Sequence, residues 1–298
     1  MVLNKVLITG ASGLLGQHFV LQCIKQEIKT IGLCRREPTP NLVDQWLEFD
    51  LENFETIPED LDIDAVVHCA AYLPSTESAE EKSKIKLINV DATKKIGDYC
   101  LRKKLPLLYI SGAIVYENEA DIAIKESAPL RTKSAWGGEY ALSKLAGEQA
   151  LISLQNKGLD LAILRPTSLY GTGLGNEKLL SKLLIKCGKG EEINPKPPLS
   201  NSINFIHARD VAQAGLELIK KGGWDVFNIG SSECYNIIEI VKKCIEAVGE
   251  GSIVIPNQNE DTATFRYDVN SDKLYTKLGF RASISLTEGL SLMHLGSF

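Results

Sequence analysis

The feature that most constrains this chain lies near its start. There the apolar run Lys5-Val-Leu-Ile-Thr9 passes through Gly10-Ala-Ser-Gly13-Leu-Leu-Gly16 into helical spacing. A strand that turns on glycines into a helix presents main-chain N–H groups and a positive dipole end to an anion. Gly10 permits the tight turn, Gly13 lets the backbone approach a pyrophosphate, and Gly16 allows close helix packing, with Ser12, Leu14 and Leu15 in the same cradle. The spacing is Gly-x-x-Gly-x-x-Gly rather than Gly-x-Gly-x-x-Gly. Its position after the first strand, more than the glycines themselves, makes it a dinucleotide site.

The same alternation continues. Strands are predicted over Lys5–Thr9, Lys29–Cys34, Trp46–Phe49, Ala65–Cys69 and Leu107–Ser111, and helical spacing over Leu14–Gln26 and Ile85–Lys103. Right-handed βαβ units follow, so the expected fold is α/β, a doubly wound parallel sheet. After Leu161-Ala-Ile-Leu164 the pattern shifts to loops and helices, through Gly171-Thr-Gly-Leu-Gly175 and Asn194-Pro-Lys-Pro-Pro198. We therefore expect an NAD(P)-binding part over 1–166 and a smaller, mainly substrate-binding α/β part over 167–298. Within the latter, 204–230 is expected to return to the core of the sheet.

Composition narrows the partners. A net charge of -5 with scattered lysines offers no basic stripe for nucleic acid. No apolar run approaches the roughly 18 residues that span a bilayer, so no membrane partner is expected and the expected location is the cytoplasm. The seven cysteines are spread out without a Cys-x-x-Cys pair, which points to reduced thiols and to no metal site. Cys69, in Val66-Val-His68-Cys69-Ala70-Ala71, reads as a buried core thiol.

Cofactor choice is read at the end of the second strand, where an acidic residue would bind a ribose 2′-hydroxyl. Cys34 stands there, followed by Arg35-Arg36. Guanidinium groups grip a 2′-phosphate, which favours NADP over NAD, although a pair of solvated surface arginines is the plainer reading. Asp50-Leu51, at the end of the third strand, could flank the adenine, and Asp50 could equally cap a loop. In Tyr140-Ala-Leu-Ser-Lys144 the tyrosine and lysine share one helix face. A neighbouring ammonium and a charged nicotinamide would stabilise the phenolate and bring Tyr140 toward working pH, while Lys144 could also hold the nicotinamide ribose.

Together these motifs resemble the extended short-chain dehydrogenase/reductases of the NAD-dependent epimerase/dehydratase family, whose fold is the Rossmann type. The likeness spans nearly the whole chain. It includes Asp64-Ala-Val-Val-His68-Cys-Ala-Ala71, whose Ala70 and Ala71 would run past the cofactor, and Asn89-Val-Asp-Ala-Thr93, similar to a structural asparagine segment. Leu164-Arg165-Pro166-Thr-Ser168-Leu-Tyr170-Gly171 is similar to the turn near the nicotinamide, which implies cofactor contacts from Pro166 and Ser168. Phe205-Ile-His207-Ala-Arg-Asp210-Val-Ala212 and Leu278-Gly279-Phe280 complete the match. His68 and His207, on apolar segments, read as structural.

Two departures bear on function. The hydroxyl residue that the family carries three positions before its Val-Tyr pair, here Val115-Tyr116, is Gly112. Ser111 replaces it only if the strand end bends, because strand neighbours face opposite ways. The arginine that binds a nucleotide diphosphate is replaced by Ile203, for which Arg266 could compensate. The resemblance implies substrate contacts from Gly112, Asn176 and Arg266, and a homodimer through the helix bearing Tyr140 and the one after Asn89. The expected function is NADP-dependent reduction of a nucleotide-linked 4-keto sugar, with Tyr140 as proton donor, Lys144 tuning it, and Ser111 or a water completing the site. A nucleotide-sugar epimerase, and a non-catalytic NADP-binding regulator or assembly subunit, are the other readings.

Overall fold

Along Lys5–Thr9 the side chains of Val6 and Ile8 enter one apolar cluster and that of Leu7 another, the mark of a strand buried on both faces. The computed structural model describes residues 1–37, 42–54, 57–76, 78–117, 123–133, 138–196, 198–255 and 265–298. The first strands are β1 (Lys5–Thr9), β2 (Lys29–Cys34), β3 (Gln45–Glu48), β4 (Ala65–His68), β5 (Leu107–Ile110) and β6 (Leu161–Pro166). Then come β7 (Ser168–Tyr170), β8 (Glu192–Ile193), β9 (Ser202–His207), β10 (Val226–Ile229), β11 (Cys234–Asn236), β12 (Ser252–Ile253) and β13 (Arg266–Tyr267).

The large sheet has the order β10-β6-β5-β4-β1-β2-β3, and every pairing in it is parallel. The strand order reverses beside β1, and the crevice at such a switch point is where α/β sheets bind ligands. Helices α1 (Leu14–Lys25) and, late in the chain, Ala208–Lys221 supply Phe19, Val20, Val211 and Leu218 to the cluster on one face. The other face is covered by a continuous helical run and by α4 (Gly138–Gln155). That run comprises α2 (Ala79–Ile85), a π-helical turn (Lys86–Ala92) and α3 (Thr93–Lys103). This is a Rossmann-type doubly wound sheet, as the sequence predicts.

The helical run begins at Ala79, six residues before the apolar spacing that marks it in the sequence. Ser78 starts it by accepting a hydrogen bond from the Glu81 N–H (3.2 Å). Beyond β6 a smaller unit forms around β9, which pairs parallel with β7 and β13 and antiparallel with β11. Helices α5 (Leu179–Cys187), α7 (Ile237–Val248) and α9 (Leu286–Leu295) pack on it, burying Leu180, Leu184, Val241 and Leu290 around Tyr170 and Phe205. Within 204–230, β9 is the centre of this small sheet, while α6 (Ala208–Lys221) and β10 belong to the large one. A short α8 (Asp272–Leu278) adds Leu274 to the large core. No helix among the described residues is long and apolar enough to cross a membrane.

The close packing foreseen for Gly16 is against the turn itself, since a Cβ there would lie 2.1 Å from the Gly10 carbonyl oxygen and 2.8 Å from the Ala11 Cα. Both obstacles are backbone, so neither can rotate away. Gly16→Ala is expected to cost about 2 to 3 kcal/mol as an overpacked site, read by urea unfolding. A cost under about 0.5 kcal/mol would show that α1 slides freely on the turn.

Candidate functional site: a dinucleotide cleft beside a buried Tyr-Lys helix

Gly10 adopts a left-handed φ of 69°, and a Cβ on it would sit 2.9 Å from the Ala70 Cα. Its absence therefore serves both the turn and the approach of β1 to the segment after β4. The Gly13 N–H donates to the Gly10 carbonyl (2.9 Å), and α1 then begins with no side-chain cap and no acidic residue in its first turn. Its first N–H groups and dipole are thus left for a ligand. They open on a cleft of about 540 Å³ lined by nine of the expected cofactor residues: Gly10, Ser12, Gly13, Arg35, Arg36, Asp50, Leu51, Ala70 and Ala71. Leu14 starts α1 beside it, and Leu15 and Gly16 are buried behind.

The sequence reading missed Thr9, Leu33, Cys34, Phe49, Cys69, Tyr72 and Ile88 in the same cleft. Most of them sit at or just past the carboxyl ends of β1 to β4, a placement the switch-point rule could have flagged. Cys69 is a correction. It is half-buried, packing against the first apolar cluster with one side and lining the cleft with the other, just past the end of β4 at His68. Burial still pushes its thiol well up, so it stays protonated. Arg35 and Arg36 are exposed and form no ion pair among the described residues. Asp50 lines the cleft, and as the loop reading expected its Oδ1 accepts from the Glu52 N–H (3.0 Å).

His68 is fully buried, with Nδ1 2.6 Å from the Thr9 hydroxyl and Nε2 2.9 Å from that of Thr93. The Thr9 oxygen also accepts from the Ala70 N–H (3.2 Å). Burial pulls His68 down to about 3. It is a neutral strut behind the cleft wall, in keeping with its structural reading. His207 caps α6 through Nδ1, which accepts from the Arg209 N–H (3.2 Å).

Tyr140 lies on the first turn of α4 and is half-buried. Lys144, one turn on, is buried. Its Nζ donates to the Ile110 carbonyl (2.6 Å) and sits 4.2 Å from the centre of the Tyr109 ring. Burial lowers Lys144 to about 7, opposed by the Glu148 carboxylate. Burial also raises Tyr140, to about 12. The expected lowering of the Tyr140 phenol by Lys144 is therefore absent from this chain by itself, because the Lys144 Nζ is committed to Ile110 and Tyr109 while Tyr140 is partly desolvated.

β5 ends at Ile110, and Ser111 just beyond it keeps one bond to β6, its N–H donating to the Leu164 carbonyl (2.8 Å). Its Oγ is buried with no hydrogen-bond partner among the described residues. Gly112 is extended (φ -178°), and a Cβ on it would meet nothing nearer than Ile114 Cγ2 at 3.6 Å, with the Pro166 carbonyl at 3.9 Å. A hydroxyl residue would fit there. Pro166 thus ends β6 alongside Gly112, Ser168 is half-buried opposite Phe205, and Asn176 is exposed in the turn before α5. Arg266 stands apart from Ile203. In the parallel β9–β13 pairing it matches Ser202, while Tyr267 matches Ile203, so Arg266 leaves on the other face of the sheet. It is held there by Asp268 (2.6 Å). The compensation expected of Arg266 is not what this register provides.

The support beneath the site was not legible in the motifs. Glu148 pairs with Arg165 through two hydrogen bonds (2.9 and 2.5 Å), both residues being buried. Arg165 donates also to the Tyr116 hydroxyl (2.8 Å), which donates to Asn228 Oδ1 (2.7 Å). Buried Asn89 accepts from the Tyr72 N–H and donates to Ser143 Oγ (2.7 and 2.9 Å), fastening the cleft wall to α4.

A sequence profile of the NAD dependent epimerase/dehydratase family matches residues 6–230. The chain belongs to that family. Among its relatives, a dTDP-4-dehydro-6-deoxy-D-allose reductase of Streptomyces bikiniensis is 27% identical over 265 residues, covering 82% of this chain and 81% of the relative. A dTDP-D-glucose 4,6-dehydratase of Homo sapiens is 23% identical over 312 residues, covering 96% and 88%. The fold is shared with the UDP-N-acetylglucosamine 4-epimerase of Bacillus cereus, at TM-score 0.81, 24% identity and coverage of 98% and 96%. It is shared too with a UDP-glucuronic acid 4-epimerase of Bacillus cereus in complex with NAD, at 0.81, 22% and 98% of both chains. Reductases, dehydratases and epimerases of nucleotide sugars are thus the enzymes this family member is similar to.

The buried lysine makes a prediction about stability. Lys144 has a folded pKa near 7 against an ordinary 10.5, so the unfolded chain binds the extra proton between those values. Stability relative to Lys144→Met should then fall as pH drops from about 10 to 7 and level off below. Urea unfolding of both chains across that window checks this, and a flat difference would refute it.

Proposed function

We propose that this family member is an NADP-dependent reductase acting on a nucleotide-linked 4-keto sugar. The observation that carries the reading is the pair Arg35 and Arg36, exposed on the dinucleotide cleft at the end of β2 and free of carboxylate partners among the described residues. A 2′-phosphate would meet two guanidinium groups there, where an acidic residue would repel it. The residues present fit a dinucleotide. Gly10 leaves the space a Cβ would fill, and α1 offers an uncapped N-terminus. Gly13, Ser12 and the start of α1 would hold the pyrophosphate, Asp50 and Leu51 the adenine, and Lys144, Pro166 and Ser168 the nicotinamide side. When bound, the nicotinamide supplies hydride exchange with a carbonyl carbon.

The chain's own part is proton delivery and orientation. Tyr140, protonated at neutral pH, gives its hydroxyl proton to the carbonyl oxygen. Ser111 Oγ, which has no internal partner, donates a hydrogen bond to the same oxygen. Lys144, buried and held by Ile110, would turn a remaining N–H toward the nicotinamide ribose. Gly112 and Asn176 would lie toward the substrate. α3 and α4 would form the four-helix contact of a homodimer. The allose reductase relative supports reduction, and the epimerases that share the fold mark the competing reaction.

Replacing Arg35 and Arg36 with Ala should weaken NADPH by about tenfold to a hundredfold and NADH little, a range set by one or two charge-assisted bonds. Fluorescence titration reads both, and equal losses would remove the NADP assignment. Tyr140→Phe should keep cofactor affinity and lower turnover of a 4-keto sugar nucleotide by about 10² to 10⁴. Gly112→Ser should fold normally, because its Cβ finds only ordinary contacts, and should raise turnover. Full activity in Tyr140→Phe would show that the proton travels by another path.

A further inference from the structure

The two walls of the dinucleotide cleft come from distant parts of the chain. On one side stand Arg35, past the end of β2, and Asp50 and Leu51, past β3; on the other stand Tyr72, past β4, and Ile88, in the π-helical turn. Lys84 lies four residues before Ile88, near the end of α2, and so on the same side of the helical run. Its Nζ reaches the carboxylate of Glu52, the residue after Leu51 (2.8 Å), while lying 5.1 Å from the centre of the Tyr72 ring. One ion pair thus joins the two walls at the end assigned to the adenosine.

The surroundings make this contact the one that can part. Tyr72 is fixed, since its hydroxyl donates to Glu81 (2.7 Å) and buried Asn89 holds both its N–H and its carbonyl (2.7 and 2.9 Å). The loop after β3 is tied to α3 behind the cleft, where the Lys95 Nζ lies 5.0 Å from the Phe54 ring centre and the Tyr99 hydroxyl donates to the Pro58 carbonyl (3.3 Å). None of these four residues lines the cleft. At the mouth, no main-chain hydrogen bond joins Asp50–Glu52 to α2 among the described residues. The Lys84 and Glu52 side chains are 29% and 36% exposed, and a pair so exposed is weak and is screened by salt. Glu52 holds the Lys84 ammonium above its ordinary range and the Arg35 guanidinium opposes it, so the pair closes beside the arginine of the cleft.

We propose that the Lys84–Glu52 pair is a strap across the adenosine end of the cleft, which parts each time the dinucleotide enters or leaves and closes again over it. This rests on the dinucleotide reading of the cleft, and on neither the NADP preference nor the sugar. A reductase exchanges its dinucleotide in every cycle, whereas an epimerase reduces and reoxidises one bound molecule, so a closure that opens at little cost suits the former. Because the pair stands closed before entry and before exit, its removal lowers the barrier to both and leaves affinity nearly unchanged.

Stopped-flow fluorescence of NADPH and NADH with the full chain tests the strap. In Glu52→Gln and in Lys84→Met, association and dissociation of both dinucleotides should quicken together by about two- to fivefold, the range of a partly exposed ion pair. The difference from the native chain should vanish at about 1 M salt, where screening acts beyond about 3 Å. Glu52→Lys combined with Lys84→Glu should return both rates toward the native values, a rescue that a merely structural role for either side chain does not predict. Native rates in both single variants, or a reversed pair that behaves like them, would overturn the strap and leave the dinucleotide reading in place. A loss of NADPH affinity in Lys84→Met that spares NADH would overturn it as well, by placing Lys84 on the 2′-phosphate. If neither dinucleotide binds the native chain, the reading of the cleft itself falls, and the strap with it.

Discussion

Glu148 is the interaction on which the catalytic side depends. Three carboxylates are buried among the described residues, Glu148, Asp210 and Asp268. Asp210 accepts from the Ser283 and Ile284 N–H groups, and Asp268 is engaged by Arg266 and Asn204. Glu148 alone stands under Lys144 and Arg165. Through Arg165 it reaches Tyr116 and Asn228, so one carboxylate joins α4, β6, the turn after β5 and β10. Removing one partner of such a buried pair typically costs about 3 to 5 kcal/mol, because the other charge is left stranded. At this site the stranded groups would be Arg165 and the lysine one turn below Glu148.

The turn that Glu148 supports is held largely through its carbonyls. Lys144 takes that of Ile110, and buried Arg131 takes those of Ile114 and Tyr116 (3.2 and 3.4 Å). Ser111 and Gly112 lie between these anchors. A loop with fixed carbonyls can keep an unpaired hydroxyl in place, which explains how Ser111 Oγ stays buried without a partner. The cost of that orphan is borne by neighbours that cannot relax toward it.

Features set by local spacing were legible in the sequence, and those set by chain crossings were not. The glycine turn, the parallel strands and the Tyr140-Lys144 face depend on residues within one or two turns of each other, and all appear where the spacing puts them. The nine cleft residues named in advance followed from the glycine turn, from the strand ends that set cofactor choice and, for Ala70 and Ala71, from the family resemblance, and most of the missed ones sit at the same strand ends. The Glu148–Arg165 pair needs α4 and β6 to be adjacent, and no periodicity shows that. The fate of Arg266 turned on a single residue of register between β9 and β13. A one-residue shift sends a side chain to the opposite face, which sequence proximity to a conserved-looking motif cannot reveal. The start of α2 was missed for the opposite reason, since Ala79–Lys84 has no apolar stripe and is initiated by the Ser78 cap.

Burial drives the two central groups toward their neutral forms, Tyr140 up to about 12 and Lys144 down to about 7. A phenol in that range starts out protonated at neutral pH, as a group that must donate a proton does. That is the demand of carbonyl reduction. Oxidation of an alcohol, with which an epimerase must begin, asks the same tyrosine to accept a proton first, and a raised phenol opposes it until positive charge arrives nearby. The chain's own cations do little to help: Lys144 is spent on Ile110 and Tyr109, Arg165 on Glu148, and Arg131 on backbone carbonyls. In the chain by itself, desolvation more than any single motif therefore sets the starting state of Tyr140, and a proton donor such as that of the proposed reductase needs this protonated state.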